Sequence, residues 1–397
     1  MKPIQNNITF IFGMSGCAKT TTAIKLICSE QFQNFLCLAY THSAVNNLID
    51  KFKTISNSKF NLQIQNHFMT IHQALRLKID KNTNETIIVK HKSYPHITNA
   101  NIIIIDEFSL IPMDIIEYLF ELANIYKDVK WVFVGDFIQL GSIESFDKIG
   151  DINVNKLIDA KIDLPVKTTF YESLKIADHL YRSCYINPDF IKSNKIILLY
   201  NYRCNDNVHF VLNQCLNNNF NLPGITIQLK DIQQFIDKGY IVLASMYKYL
   251  AAINSIIIKD SSIPQIKTKI GNSSINQDFI LLKNINKSYH NGDIIKINKK
   301  YEIEGTEIVI TPNDIIPANL STIHKSQGRT IKNIIVVLDN LFEITMLYTA
   351  ITRAQNDVKL LLLSDENKPK DSDISAFKIM RDYIYSENQN NVSGLMY

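Results

Sequence analysis

The sequence predicts an α/β fold, because two sets of apolar runs of strand length alternate with helical stretches. The first set falls within residues 8–136 and the second within residues 195–339. Each run is apolar on both faces, which is typical of parallel strands covered by helices on both sides of a sheet. A chain of 397 residues is long enough for more than one domain. We therefore expect a first domain over residues 1–150 and a second over residues 151–397.

The apolar runs themselves define the expected strands. The first domain has ITFIFG (8–13), FLCLAYT (35–41), NIIIIDE (101–107) and WVFVGD (131–136). The second has KIILLYNYR (195–203), YIVLASM (240–246) and NIIVVLD (333–339). Two stretches interrupt the alternation. We expect them to form a small polar hairpin over residues 78–98 and a small β insertion over about residues 279–318.

Composition limits the class of protein. No run of 18 or more apolar residues occurs, so we expect no membrane-spanning segment and no membrane partner. The apolar stretch before the first glycine is too short for a signal peptide, and the six cysteines lack the spacing of a zinc site. These features indicate an intracellular, not a secreted, protein. The net charge of +4 suits a nucleic-acid partner and a metabolic enzyme equally well.

A phosphate-binding loop is predicted directly after the first strand. A glycine-rich turn there leads into a helix, and backbone N–H groups at such a helix N-terminus hold phosphates. The expected nucleotide-binding residues are Gly13, Met14, Ser15, Gly16, Cys17, Ala18, Lys19, Thr20 and Thr21. Within this set Lys19 would reach the β- and γ-phosphates, and the Thr20 hydroxyl would ligate Mg²⁺.

Alanine at position 18 departs from the usual pattern, which has glycine before the lysine. Its Cβ is tolerated if φ is negative and is strained if the turn needs a positive φ. We expect a working loop that tolerates Ala18.

A second acidic element strengthens the prediction of a nucleotide site. The strand IIIIDEF delivers Asp106 and Glu107 at its C-terminal end, where doubly wound sheets bind ligands. Asp106 is the expected second Mg²⁺ ligand, and Glu107 is expected to polarise the attacking water. A phosphate loop and this acidic pair together predict ATP hydrolysis, with ATP and Mg²⁺ as the cofactors.

The order of further motifs resembles that of superfamily 1 helicases, and the resemblance covers nearly the whole chain. The motifs that carry it are AYTHSAVNNL (39–48), MTIHQAL (69–75), DEFS (106–109), VGDFIQL (134–140), LLYNYRCNDNV (198–208), STIHKSQGRT (321–330) and LYTAITRAQ (347–355). The stretch LLKNINKSYHNGDIIKI (281–297) resembles the entry to the SH3-like domain of the RecD, Dda and Pif helicases. The resemblance to this subgroup, superfamily 1B, implies two RecA-like P-loop NTPase core domains.

The resemblance also implies roles for residues outside the loop. Gln139 would sense the γ-phosphate, and Arg203 and Arg353 would act as arginine fingers from the second domain. Gly328 joins the nucleotide-binding set. The implied contacts to the nucleic-acid backbone are Thr41, His42, Thr70, His72, Thr322 and His324. The side chains Phe68, Phe108, Phe137 and Tyr289 are candidates for base stacking, although core packing is the better-supported reading of each.

Three functions stay open on the sequence. The leading one is an ATP-dependent helicase or translocase on single-stranded DNA, moving 5′ to 3′ as the resembled subgroup does, with replication or repair proteins as candidate partners. The second is an NTPase of the same architecture that acts on RNA, or that translocates without separating strands. The third is a nucleic-acid-binding protein whose NTPase site has decayed, a hypothesis that Ala18 alone supports.

Overall fold

The structure is a computed structural model. It describes residues 7–29, 34–56, 62–79, 86–140, 193–257, 264–275, 277–286, 288–289, 293–339, 343–363 and 370–386. The chain divides into two compact units. The first unit contains Met1–Tyr202 together with Ser375–Tyr397, and the second contains Arg203–Ile374. No helix in the described part of the chain is long and apolar enough to cross a membrane.

The first unit is built on a parallel sheet. Its strands are β1 (Ile8–Gly13), β2 (Phe35–Ala39), β3 (Phe68–Thr70), β4 (Lys78–Ile79), β5 (Thr86–Ile87), β6 (Ile102–Asp106), β7 (Lys130–Gly135) and β8 (Asn194–Leu198). Its helices are α1 (Lys19–Ser29), α2 (His42–Ile55), α3 (Leu62–Gln65), α4 (Ile71–Leu75), α5 (Pro95–Thr98) and α6 (Met113–Ile125). Six described strands form the sheet in the order β3-β2-β6-β7-β1-β8, every neighbouring pair being parallel. The predicted hairpin over residues 78–98 holds in part: β4 and β5 form an antiparallel pair, but the last four residues of the stretch form helix α5 instead.

Two apolar layers hold this sheet. On one face, helices α1 and α2 pack residues such as Ile24, Leu48 and Phe52 against the strands. An aromatic cluster also packs within the core, where the rings of Phe10 and Phe133 stack with their centroids 5.0 Å apart. Central strand β6 is buried along its whole length. Isoleucine is β-branched and apolar, so a run of isoleucines favours a strand that is buried on both faces of the sheet.

The second unit has its own parallel sheet and a small β insertion. Its strands are β9 (Thr226–Ile227), β10 (Ile241–Ala244), β11 (Gln265–Thr268), β12 (Gly271–Ser274), β13 (Phe279–Leu281), β14 (Ile294–Ile295), β15 (Ile315–Pro317), β16 (Leu320–Thr322), β17 (Ile331–Leu338) and β18 (Ala354–Leu362). Its helices are α7 (Asp206–Leu216), α8 (Ile232–Asp237), α9 (Tyr247–Ile257), α10 (Ile323–Ser326) and α11 (Ile344–Ile351). Helix α12 (Asp371–Ser386) starts in this unit and ends in the first.

The order of the second parallel sheet is β16-β10-β17-β18-β9. The predicted insertion near 279–318 contains an antiparallel sheet, β14-β13-β15, over an apolar cluster that includes Phe279 and Ile303. A further hairpin, β11–β12, precedes it and was not expected from the sequence. Parts of both predicted insertions, and all of residues 141–192, lie outside the described residues.

The boundary between the units differs from the expected one at residue 150. Strand β8 was assigned to the second domain on sequence grounds, but it pairs in parallel with β1, where Gly13 faces Leu198. Its side chains are only partly buried, as befits a strand at the edge of the sheet. The reason for the error is that an apolar run reports a strand without reporting which sheet it joins.

Candidate nucleotide site

The predicted phosphate loop joins β1 to α1 at the C-terminal edge of the first sheet. Strand β1 ends at Gly13 and helix α1 begins at Lys19, so residues 14–18 form the turn between them. The Lys19 ammonium donates hydrogen bonds to the carbonyl oxygens of Gly13 and Met14, each over 2.8 Å. The loop therefore encloses the lysine charge that a phosphate would meet.

The end of β8 and the residues after it pass so close to the loop that two of its positions have no room for a Cβ. A Cβ at Gly13 would clash with the Leu198 carbonyl oxygen, and one at Gly16 would clash with the Asn201 side chain. Gly16 also has φ +87°, in the left-handed region that favours glycine. The Asn201 amide donates to the Ser15 carbonyl oxygen over 2.9 Å. Asn201 stands inside the quoted stretch LLYNYRCNDNV, but sequence reasoning gave it no role.

Ala18 occupies the conformation that the sequence analysis identified as the unfavourable one. Its φ is +56°, so the turn does place this residue in the left-handed region. An L-residue in that conformation costs about 1–2 kcal/mol relative to the right-handed region. The loop keeps the backbone turn that a glycine would make, and the alanine introduces strain in doing so.

The acidic pair lies beside the loop, as predicted. Asp106 is the last residue of β6, and both its carboxylate oxygens accept the Thr20 hydroxyl, over 3.0 and 3.1 Å. Burial, and secondarily the neighbouring charge of Glu107, raises the pKa of Asp106 to about 6. Glu107 itself has φ +52°, in the left-handed region that is uncommon for residues other than glycine.

These residues fit a bound Mg²⁺. The ion takes oxygen ligands, and here a hydroxyl and a carboxylate already lie within hydrogen-bonding distance of each other. Burial raises the pKa of Asp106, and a cation beside the carboxylate would favour its charged form. Thr20 and Asp106 are therefore brought together as the sequence predicted.

Gln139 belongs to a buried hydrogen-bonded chain at the end of β7. Its Nε2 donates to Asp136 Oδ2 over 3.1 Å, and Asp136 Oδ1 accepts from the Tyr385 hydroxyl over 2.6 Å. Sequence reasoning missed both partners. Asp136 stands in the quoted motif VGDFIQL, so its carboxylate was a signal that could have been used. Tyr385 lies 249 residues beyond Asp136 and has no sequence signal.

Three candidate residues of the second unit lie near the end of α11 or in the loop after α10. Arg203 donates from Nη1 to the Thr352 carbonyl oxygen over 3.2 Å. Arg353 is only 1% exposed, and its Nε donates to the Thr349 carbonyl oxygen over 3.1 Å. Gly328 has φ +76°, which requires glycine's freedom after α10. The roles of both arginines and of Gly328 toward nucleotide stay predictions.

The candidate nucleic-acid residues share one local structure. Thr41, Thr70 and Thr322 are each the N-cap of a helix, and each side chain accepts a backbone N–H of the first turn. His42 is the first residue of α2. Burial lowers the pKa of both His72 and His324. Contact of these six residues with nucleic acid stays a prediction.

The aromatic candidates for base stacking belong mainly to the core. Phe108 and Phe137 are fully buried with ring centroids 4.8 Å apart, and Phe68 is 6% exposed. Tyr289 packs against the apolar cluster of the β insertion. Core packing is therefore the correct interpretation of the three phenylalanines.

The fold and the site together define a P-loop nucleotide-binding α/β protein. Residues 1–145 match the family model described as an AAA domain. The RecBCD enzyme subunit RecD of Buchnera aphidicola subsp. Acyrthosiphon pisum is 29% identical in an alignment 219 positions long, which covers 51% of this chain and 33% of that protein. The RecD of Buchnera aphidicola subsp. Schizaphis graminum is 26% identical in an alignment 433 positions long, which covers 89% of this chain and 70% of that protein.

A solved structure shares the fold over almost the whole chain. The Pif1 helicase from Bacteroides, in complex with ADP-AlF3 and single-stranded DNA, superposes with a TM-score of 0.55 at 17% identity and covers 98% of this chain and 95% of that one. The match to the first RecD spans only 33% of that relative's length. The sequence similarity to RecD and the fold shared with Pif1 agree with the resemblance that the motifs indicated, and the α/β class with two RecA-like domains is confirmed.

Proposed function

We propose that the protein is an ATP-dependent helicase or translocase that moves on single-stranded DNA. The observation that carries the proposal is the contact between Thr20 and Asp106, which joins the phosphate loop to the acidic strand end at one edge of the first sheet. The matches to RecD and to Pif1 support a DNA substrate, because the Pif1 structure contains single-stranded DNA.

Each residue of the site has a proposed chemical task. The loop N–H groups and Lys19 bind the β- and γ-phosphates, and Glu107 orients and polarises the attacking water. Thr20 and Asp106 would hold Mg²⁺, which supplies positive charge beside the phosphate oxygens. Arg203 and Arg353 are proposed to stabilise the charge on the transferring phosphoryl group.

An ATPase measurement with and without single-stranded nucleic acid tests the proposal. We expect hydrolysis that DNA stimulates strongly and that Lys19→Ala or Glu107→Gln abolishes. Lys90 and Glu121 form an exposed ion pair in the same unit and provide matched controls. Lys90→Ala and Glu121→Gln should leave hydrolysis unchanged, because removing an exposed charge away from the site has little effect.

Duplexes with a single overhang test the direction of movement. We propose 5′ to 3′ translocation, so unwinding should need a 5′ overhang. Stimulation by DNA without strand separation would support a translocase instead. Stimulation by RNA alone would support the RNA-directed alternative. Absence of hydrolysis on either polymer would support the protein with a decayed site, and the strained Ala18 would then be its cause.

A further inference from the structure

We propose that Tyr385, in the last turns of helix α12, is a positioning residue that fixes the side-chain amide of Gln139 by holding Asp136. The inference rests on the proposed ATPase function and adds a residue that lies in none of the helicase-like motifs. It assigns the C-terminal helix a part in arranging the nucleotide site.

The geometry forms one continuous chain. The Tyr385 hydroxyl donates to Asp136 Oδ1 over 2.6 Å, and Gln139 Nε2 donates to the other carboxylate oxygen over 3.1 Å. The Ile138 N–H also donates to Asp136 Oδ1, over 3.1 Å. Asp136 is fully buried, Gln139 is 3% exposed and Tyr385 is 7% exposed. Bulk water therefore does not compete for these bonds.

The chemistry of the partners determines which way the amide faces. An ionised carboxylate only accepts hydrogen bonds, so the NH₂ group of Gln139 must face Asp136. Its carbonyl oxygen, Oε1, must then face away. Among the described residues, Gln139 Oε1 has no hydrogen-bond partner although it is buried. A buried acceptor without a partner is costly, and it marks a position where a donor is expected.

A water molecule attacking the γ-phosphate is such a donor. A glutamine carbonyl oriented toward it would accept one of its hydrogens and help to align its lone pair with phosphorus. The reversed amide would instead donate an N–H to the water oxygen and engage a lone pair that the attack needs. Fixing the amide orientation before ATP binds removes a competing arrangement from the site. Tyr385 contributes by preventing the Asp136 carboxylate from rotating away.

The position of Tyr385 is itself well determined by packing. Its neighbour Ile384 is fully buried, and the Tyr385 ring lies 6.5 Å from the ring of Phe12, centroid to centroid. Phe12 is in β1, immediately before the phosphate loop. The end of α12 is thus packed against the strand that leads into the loop.

The variant Tyr385→Phe removes the hydroxyl and retains the ring. We expect kcat for ATP hydrolysis to fall about fivefold, the effect of one lost hydrogen bond, with KM for ATP nearly unchanged. In a Gln139→Ala background the same change should have no further effect on kcat, because the amide it positions is absent. The more disruptive Asp136→Asn, whose amide can donate to Gln139 Oε1 and reverse it, should lower kcat further.

Tyr118→Phe is the matched control. Tyr118 is also a buried tyrosine of the first unit, and its hydroxyl bonds to that of Tyr94 away from the site. We expect Tyr118→Phe to lower thermal stability to a similar extent and to leave kcat unchanged.

Three results would overturn the inference. They are an unchanged kcat in Tyr385→Phe beside an active wild type, a full fivefold loss that persists in the Gln139→Ala background, and an equal loss in Tyr118→Phe. Each leaves the proposed function intact. A wild-type protein without ATPase activity would overturn both.

Discussion

The triplet Thr-Ile-His occurs once in each unit, at residues 70–72 and 322–324, and a comparison of the two shows what local sequence decides. Both triplets start at the end of a strand, β3 or β16, that lies at the edge of its parallel sheet among the described strands. In both, threonine is the helix N-cap and isoleucine is fully buried. The same three residues therefore produce the same turn in two different sheets.

The two turns, each made of a Thr-Ile-His triplet and the residue after it, differ in that fourth residue, which is Gln73 in the first unit and Lys325 in the second. Each of these four-residue turns is called an element below. In the first unit Gln73 completes a capping box, because its Oε1 accepts the backbone N–H of Thr70 over 3.0 Å. His72 contacts Thr86 of the β4–β5 hairpin and the ring of Tyr40. In the first element, therefore, the polar side chains of Gln73 and His72 contact other groups of the protein.

In the second unit Lys325 takes the place of the glutamine. Burial, and then the charge of Lys269, lowers the pKa of Lys325 to about 8. Lys269, on the β11–β12 turn, lies over the ring of Tyr247 at 4.4 Å from its centroid. His324 Nε2 is buried without a hydrogen-bond partner among the described residues. Lys325 therefore gives this element a positive charge that the first element lacks at the same position, and positive charge suits a phosphate group.

The largest expected difference between the two elements is in stability. Thr70→Ala should destabilise the protein by about 2 kcal/mol, because it removes the Oγ1 that accepts the Gln73 backbone N–H and donates to Gln73 Oε1. Thr322→Ala removes only the acceptor of the Lys325 backbone N–H and should cost about 1 kcal/mol. Urea denaturation of the two variants measures this. Equal losses would show that the bond from the Thr70 hydroxyl to Gln73 Oε1 adds nothing to the cap.

A second stability prediction concerns the backbone strain at Ala18 in the phosphate loop, which is independent of the Thr70 cap. Ala18→Gly should stabilise the protein by about 1 kcal/mol, since glycine adopts the observed positive φ without strain. The reciprocal change at a glycine of similar φ in the second unit, Gly305→Ala, should destabilise it by a similar amount, because a Cβ there meets no atom within 4 Å and only the backbone conformation matters. Thermal denaturation checks both, and a neutral Ala18→Gly would mean that the loop is not strained.

Replacing Lys325 by the glutamine that the first element has at this position tests whether the lysine charge binds nucleic acid. Lys325→Gln should weaken binding of single-stranded DNA about fivefold and reduce the slope of log affinity against log salt by about 0.7, the loss of one phosphate contact. Lys238→Gln is the control and should leave both the affinity and the slope unchanged, because Lys238 lies elsewhere in the second unit, over the ring of Phe235. Fluorescence anisotropy at several salt concentrations gives both quantities, and an unchanged slope would contradict the phosphate contact.

The smallest expected effect is a dependence on pH. The folded-state pKa of Lys325 is lowered to about 8, so its positive charge is present below that value and is lost as pH rises through it. Affinity for single-stranded DNA should fall about twofold between pH 7 and pH 8. Lys325→Arg, which stays charged, should abolish that fall. A wild-type affinity that is flat over this range would show that Lys325 does not contact the strand.

Much of this protein was determined by its sequence alone. The apolar run 8–13 is strand β1 at the same residues, and the loop, Thr20 and Asp106 meet where the motif places them. Such features are local, because strand periodicity and helix capping depend on residues a few positions apart. A strand followed by a glycine-rich turn and a helix needs no information from elsewhere in the chain.

Tertiary structure decided the features that join distant residues. The sheet to which β8 belongs, the contact of Gly16 with Asn201 and the bond from Tyr385 to Asp136 all join residues far apart in the sequence. Burial likewise separated Phe108 and Phe137 from a role in base stacking. The physical reason is that hydrophobic burial and hydrogen bonding do not depend on sequence distance, so a residue 249 positions away can be the nearest partner.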